Sequence, residues 1–115
     1  MIGRFLTRRG GFVLIGDFYE AKRMADQIYK AAQDAAAAGD RDRASSLIQD
    51  NRGILSLRSG MEGVERSLSV LNRQMRAVSD NREMSADEKR ERIIQLNAQR
   101  NELARRVMER VRAVQ

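Results

Sequence analysis

From Phe18 onward the apolar residues of this chain recur at helical intervals. Phe18, Ala21, Ala25, Ile28, Ala32 and Ala35 follow one another by three or four positions, which lays them on one stripe of a helix. Asp17 stands where an N-cap is wanted and Gly39 closes an alanine run, so the spacing predicts a helix over about 17–38. After the turn "AGDRD", Ala44 and Leu47 lead into Ile54, Leu57, Met61, Val64, Leu68, Leu71, Met75 and Val78. From Ile54 the steps alternate strictly between three and four, the a/d pattern of a coiled coil. One long helix over about 41–79 is expected, roughly 57 Å in length at 1.5 Å per residue. Gly53, Gly60 and Gly63 each cost such a helix about 1 kcal/mol relative to alanine, and a bend is expected near Gly53.

A third helix is announced by "MSADEKRERII", beginning at Met84. Ser85 and Glu88 are spaced as a capping box, in which each side chain satisfies the other residue's amide. Asp87, Glu88 and Glu91 lie where a helix N-terminus favours negative charge, and Glu88 precedes Arg92 by the four positions of a helical ion pair. Arg105, Arg106, Arg110 and Arg112 load the opposite end. Ile93, Leu96, Leu103, Val107 and Val114 keep heptad register, with Ala104, Met108 and Val111 widening the stripe. Arg100 and Arg110 fall inside that register and are expected to snorkel at its edge or to pair with an acid on another helix. The third helix is thus placed at about 86–113. Short turns make neighbours antiparallel. The expected fold class is all-α: an antiparallel three-helix bundle, or helical coiled coil, with a long second helix. Residues 1–16, punctuated by Gly3, Gly10, Gly11 and Gly16, read as an irregular basic leader ahead of a helical domain over 17–115.

Composition narrows the chemistry. Of the 115 residues, 42% are hydrophobic but only 4% aromatic, so the core must come from long repeated contacts among small and aliphatic side chains. Histidine and cysteine are absent, which removes disulfides, thiolate nucleophiles, the usual zinc sites and the readiest general base. Glu62 and Glu65 lie one turn apart, but di-iron bundles pair such carboxylates with Glu-x-x-His, and no histidine exists here. They read as a solvated face, with Glu62 near Arg66. The serines lack a histidine base, and no glycine-rich segment matches a phosphate loop. Lys22, Lys30 and Lys89 occupy polar helical positions. The expectation is a protein that is not an enzyme, with no catalytic residue, cofactor or metal. The longest notable apolar run, Phe12 to Ile15, is too short to cross a membrane.

The net charge of +6 is divided between the ends. Residues 1–16 carry Arg4, Arg8 and Arg9 and no acid, and the middle of the chain is balanced. These three arginines make a candidate arm for weak, non-specific, salt-sensitive contact with DNA. The arginines of the third helix make a second cluster, interrupted by Glu102 and Glu109. Phe12, Leu14, Ile15, Phe18 and Tyr19, with Val13, form the remaining unassigned group. They either fold over one end of the bundle or dock the domain onto a larger partner. Met61, Met75 and Met108 sit at heptad spacing and belong to the core.

Four marks together resemble a known family: Phe18-Tyr19-Glu20, the turn at Gly39-Asp40, Asp50-Asn51-Arg52, and Ser85 through Arg90 followed by an apolar stripe. They are similar to the C-terminal helical region of large polyvalent proteins of bacteriophages and mobile elements. That region also ends some internal virion, or ejection, proteins of short-tailed phages. The resemblance spans most of residues 17–108. It implies a non-enzymatic structural module inside the phage particle, with portal or other ejection proteins, or the rest of a longer polypeptide, as partners. The family's region normally closes a much longer chain, whereas here it starts shortly after Met1. Two other expectations stand beside it: a small basic nucleic-acid-associated protein of a mobile element, or a free-standing coiled-coil adaptor that self-associates. For these the expected location is cytoplasmic.

Overall fold

The computed structural model describes residues 14–114. The fold is all-α. Four helices follow in order: α1 (Leu14–Ala37), α2 (Arg41–Asp50), α3 (Arg52–Asp80) and α4 (Ala86–Ala113).

Helix α1 starts earlier than its apolar pattern suggests. Asp17 is therefore not an N-cap but a buried acid in the first turn, where its charge still suits the macrodipole. The other end is a Schellman close around Gly39, whose φ of 84° favours glycine. The amides of Gly39 and Asp40 donate back to the carbonyls of Ala36 and Ala35 at 3.1 and 2.9 Å. Asp40 then caps α2 by accepting from the amide of Arg43 at 3.1 Å. This tight turn folds α2 back along α1, with Ala44 and Ile48 beside Ala32 and Ala36.

The single helix expected over 41–79 is two helices, parted at Asn51. Followed backwards from Ile54, the a/d seam calls for an apolar residue at 50, and Asp50 stands there. Without a continuous stripe nothing holds the two pieces in line. Asn51 leaves helical geometry at φ −121°, ψ 23°, and its side-chain amide donates to the Leu47 carbonyl at 2.8 Å, satisfying an orphan acceptor of α2. The break frees α2 to lie against α1 while α3 sets off along α4.

Helices α3 and α4 form an antiparallel hairpin. Gly53 lies against Val114, Asn72 accepts from Arg100, and the Lys89 ammonium donates to the Ser79 carbonyl, which gives the matching heights along the pair. At the tip, Asn81 accepts from the Glu83 amide at 2.8 Å, and the Ser85–Glu88 capping box is formed in both directions at 3.1 Å. Glu88 is thereby engaged with Ser85, and Arg92 donates to Gln95 instead of pairing with Glu88.

Helix α1 lies along one side of this hairpin and covers only part of it. The main core joins Phe18, Ala21, Ala25 and Ile28 of α1 to Ile54, Met61 and Leu68 of α3 and to Ala104, Met108 and Val111 of α4. Past Leu68, among the described residues, the hairpin continues without α1, with Leu71 and Leu96 still buried and Met75, Val78 and Ile93 half-buried. The molecule measures 60 × 29 × 16 Å.

Candidate interaction surface

The two sides of the α3/α4 hairpin differ in kind. On the side that meets α1, α3 presents Leu55, Arg58 and Glu65. Asp26 of α1 is the hub of this contact, accepting from Lys22 at 2.6 Å and from the Arg58 Nε at 2.7 Å. The Arg58 guanidinium also stacks 4.1 Å above the Tyr29 ring and comes within 3.6 Å of Glu62. Glu62 therefore belongs to Arg58 and not to Arg66. Burial works to raise the Asp26 carboxyl, but the hydrogen bonds and charges of Lys22 and Arg58 outweigh it and hold the group below its ordinary value. Above the end of α1 this side stays polar. Arg100 donates to the side-chain carbonyls of Asn72 and Asn97 at 3.0 and 2.7 Å, so its partners are amides and not an acid on another helix.

The opposite side is an open, mostly apolar groove. Its upper section is lined by Ser67, Val70 and Leu71 of α3 and by Ala98, Gln99, Glu102, Leu103 and Arg106 of α4. Its lower section runs between Gly60 and Val64 of α3 and Val107 and Arg110 of α4. Successive residues of a helix turn by about 100°, which sets Gly60, Ser67 and Val70 away from the Leu55–Arg58 side. The α3 residues along this flank, at 53, 56, 60, 63, 67, 70, 74 and 77, are Gly, Ser, Gly, Gly, Ser, Val, Gln and Ala. None is charged, in a chain that is 33% charged. Val70 is 42% exposed at the rim.

The glycines of this flank are not equivalent. A Cβ at Gly53 would stand 2.5 Å from the Val114 Cβ and 3.0 Å from its carbonyl oxygen, so glycine there is what lets the end of α4 close on the start of α3. A Cβ at Gly60 would meet nothing within 4 Å, and one at Gly63 only the Arg66 guanidinium at 3.7 Å. Packing among the described residues gives no reason for Gly60 or Gly63.

The charged residues that line the groove, Glu102, Arg106 and Arg110, all belong to α4. Arg66 leans over Gly63, and Arg73 follows one heptad later; neither makes an ion pair among the described residues. On α4, Glu102 accepts from Arg105 and, at 3.2 Å, from Arg106, while Arg105 also reaches Glu109 at 3.4 Å. The bonds from Arg105 first, then Arg106, hold the Glu102 carboxyl below its ordinary value. Two of the four C-terminal arginines are thus engaged by acids of their own helix.

Among the residues singled out from the sequence, Arg4, Arg8, Arg9 and Phe12 lie outside the described residues. Leu14 is the first residue of α1. Phe18 is fully buried in the main core and meets Tyr19 edge-on at 5.4 Å, and Ile15 and Tyr19 pack half-buried against the same cluster. Phe18 is unavailable to a partner while that core is intact. No group of three or more acidic, histidine or cysteine side chains is placed to hold a metal among the described residues, and none of the helices is long and apolar enough to cross a membrane. The groove itself was not anticipated. Its signal was the uncharged flank of α3, hidden because the a/d seam drew attention to the face beside it.

No family model, curated protein or solved structure matches this chain.

Proposed function

We propose that this chain is a non-enzymatic structural or assembly module that acts by helix–helix packing. In this reading α1, α3 and α4 make an antiparallel three-helix bundle, and α3 and α4 continue beyond it as a coiled-coil arm. One observation carries it: the uncharged α3 flank along an uncovered apolar groove. A surface helix ordinarily turns charge to water and reserves an uncharged face for another element to cover. The virion setting rests on the resemblance of Phe18-Tyr19-Glu20, Gly39-Asp40, Asp50-Asn51-Arg52 and Ser85 through Arg90 to internal virion proteins. It makes the partners portal or ejection proteins, or the rest of a longer polypeptide, within the particle.

The chain has no cysteine, so Val70→Cys places a unique thiol at the groove rim. Purified virus particles carrying this variant are digested for mass spectrometry before and after thiol cross-linking. The reading expects the chain's peptides in particles and a cross-link from residue 70 to another polypeptide. Absence of those peptides overturns the virion setting. Their presence without any cross-link from residue 70 overturns the groove as a packing surface.

A further inference from the structure

We infer that the α3/α4 hairpin carries a second surface, a binding site for the phosphate backbone of double-stranded nucleic acid, formed by Arg66, Arg73 and Arg76 on the outer edge of α3. The site lies beside the groove, does not involve Arg4, Arg8 or Arg9, and stands independently of the helix-packing reading. Three observations lead to it.

The first is where the acids are. Asn72 accepts from Arg100 and the Ser79 carbonyl accepts from Lys89, so residues 66–79 of α3 run beside residues 92–101 of α4. These two stretches hold five arginines, Arg66, Arg73, Arg76, Arg92 and Arg100, and none of the chain's 16 acids. The arginines that pair with carboxylates, such as Arg58 with Asp26 and Arg106 with Glu102, stand outside them. Arg92 and Arg100 donate to side-chain amides, which leave their charge uncompensated. Arg66, Arg73 and Arg76 make no ion pair among the described residues.

The second is direction. Successive residues turn by about 100°, so Arg66, Arg73 and Arg76 share an arc of about 80° on α3, turned away from the a/d seam, with Ser69 between them. All four side chains are exposed, and the arginines span about 15 Å of helix. The same edge carries Glu62, engaged by Arg58, before them and Asp80 after them, which bounds the site at both ends. Like charges on one helix edge repel, and phosphates supply the counter-charge that the chain withholds. The Ser69 hydroxyl adds a neutral donor of the kind that also bonds phosphate oxygens. The third is composition: neither stretch contains an aromatic residue. Single strands are held by stacking their bases on aromatic rings, so a surface of arginine and serine suits a duplex, whose bases already stack on one another and whose phosphates face outward.

Fluorescence anisotropy of a labelled DNA duplex of about 20 base pairs, titrated with the full chain at several NaCl concentrations, tests the site. The expected result is binding that weakens steeply with salt, with a log–log slope of about −3 or steeper. Arg66→Gln, Arg73→Gln and Arg76→Gln together should weaken binding by about tenfold or more and flatten the slope by about 2 to 3. Glutamine keeps helix propensity at these exposed positions, so helicity by circular dichroism should be retained. Arg41→Gln, Arg43→Gln and Arg52→Gln together remove the same charge from exposed positions of α2 and the start of α3, and should weaken binding by less than about threefold. Absence of salt-sensitive binding overturns the site. Equal weakening by the two triple variants also overturns it, since net charge alone would then carry the affinity. Vesicles of phosphatidylserine and phosphatidylcholine separate the other source of phosphate: a chain that binds them and not the duplex overturns the nucleic-acid assignment.

Discussion

The two ends of the α3/α4 hairpin are built from the same heptad and live under different conditions. At the Gly53 end a third helix supplies Phe18, Ala21, Ala25 and Ile28, and the a/d residues Ile54, Met61 and Leu68 are buried on all sides. At the Ser85 end, where no described residue of α1 lies, residues of the same pattern such as Met75, Val78 and Ile93 are half-buried. A two-helix seam shields each side chain from its partner's direction only, and water reaches the flanks. Heptad register therefore says which residues face a neighbouring helix, but the number of helices that arrive decides how much each is worth.

The largest effect separating the two ends is expected from truncating the core. Phe18→Ala should cost about 3 to 5 kcal/mol in urea unfolding, since a fully buried ring leaves a cavity among three helices. Met75→Ala, at a half-buried position of the arm, should cost about 1 kcal/mol, less than the range for fully buried methionine. Equal costs would break the distinction between the end that α1 covers and the other end.

Glycines give the next test. Gly53→Ala should destabilise by about 1 to 3 kcal/mol, because the added methyl overlaps the Val114 side chain and carbonyl. Gly60→Ala meets open space in the single chain and should stabilise it by up to about 1 kcal/mol through helix propensity. Thermal unfolding of the two variants reads the difference directly. Opposite signs for the same substitution seven residues apart in one helix would show that the close approach at Gly53 is local.

Ser85→Ala removes one half of the capping box and should cost about 0.5 to 2 kcal/mol. Its effect sharpens the comparison when followed by amide exchange: faster exchange should appear in the first turns of α4, at the free end of the arm, with little change around Phe18. The smallest effect concerns pH. Asp26 is held below its ordinary value of 3.8 in the folded chain, so the unfolded chain binds the proton more readily. Its contribution is present above that value and is lost as pH falls through the lower folded value. Asp26→Asn should flatten the stability–pH curve in that acid window and leave its shape near neutrality unchanged, as urea titrations between about pH 2 and 7 would show.

Much of the local architecture was legible in residue order. Gly39 as a stop and Ser85 with Glu88 as a start depend on interactions within a few residues, and the structure shows both; the apolar stripe from Ile54 to Val78 is buried or half-buried along α3. The break at Asn51 was in part legible, through Asp50 on the seam, yet Ala44 and Leu47, leading into the pattern from Ile54, invited a continuous helix. The ion pairs were read least well. Arg58 took Glu62 and Asp26, Arg100 took two asparagines, and Arg92 took Gln95, because long flexible side chains settle on whatever the tertiary packing brings within reach.

Periodicity and capping chemistry act over single turns of helix, so the sequence by itself determined that the chain is helical, where most of its helices end, and which stripe of each is apolar. Only the tertiary structure decided which side of the α3/α4 hairpin α1 would cover and how far along it α1 would reach. It also separated Gly53, pressed against Val114, from Gly60, which faces open space. Those outcomes depend on α2 folding back along α1 and on α1, at 24 residues, lying beside only part of the hairpin formed by α3 and α4, at 29 and 28. The groove is the consequence: three helices of unequal reach, packed from one side, leave the opposite side of the longest pair uncovered among the described residues.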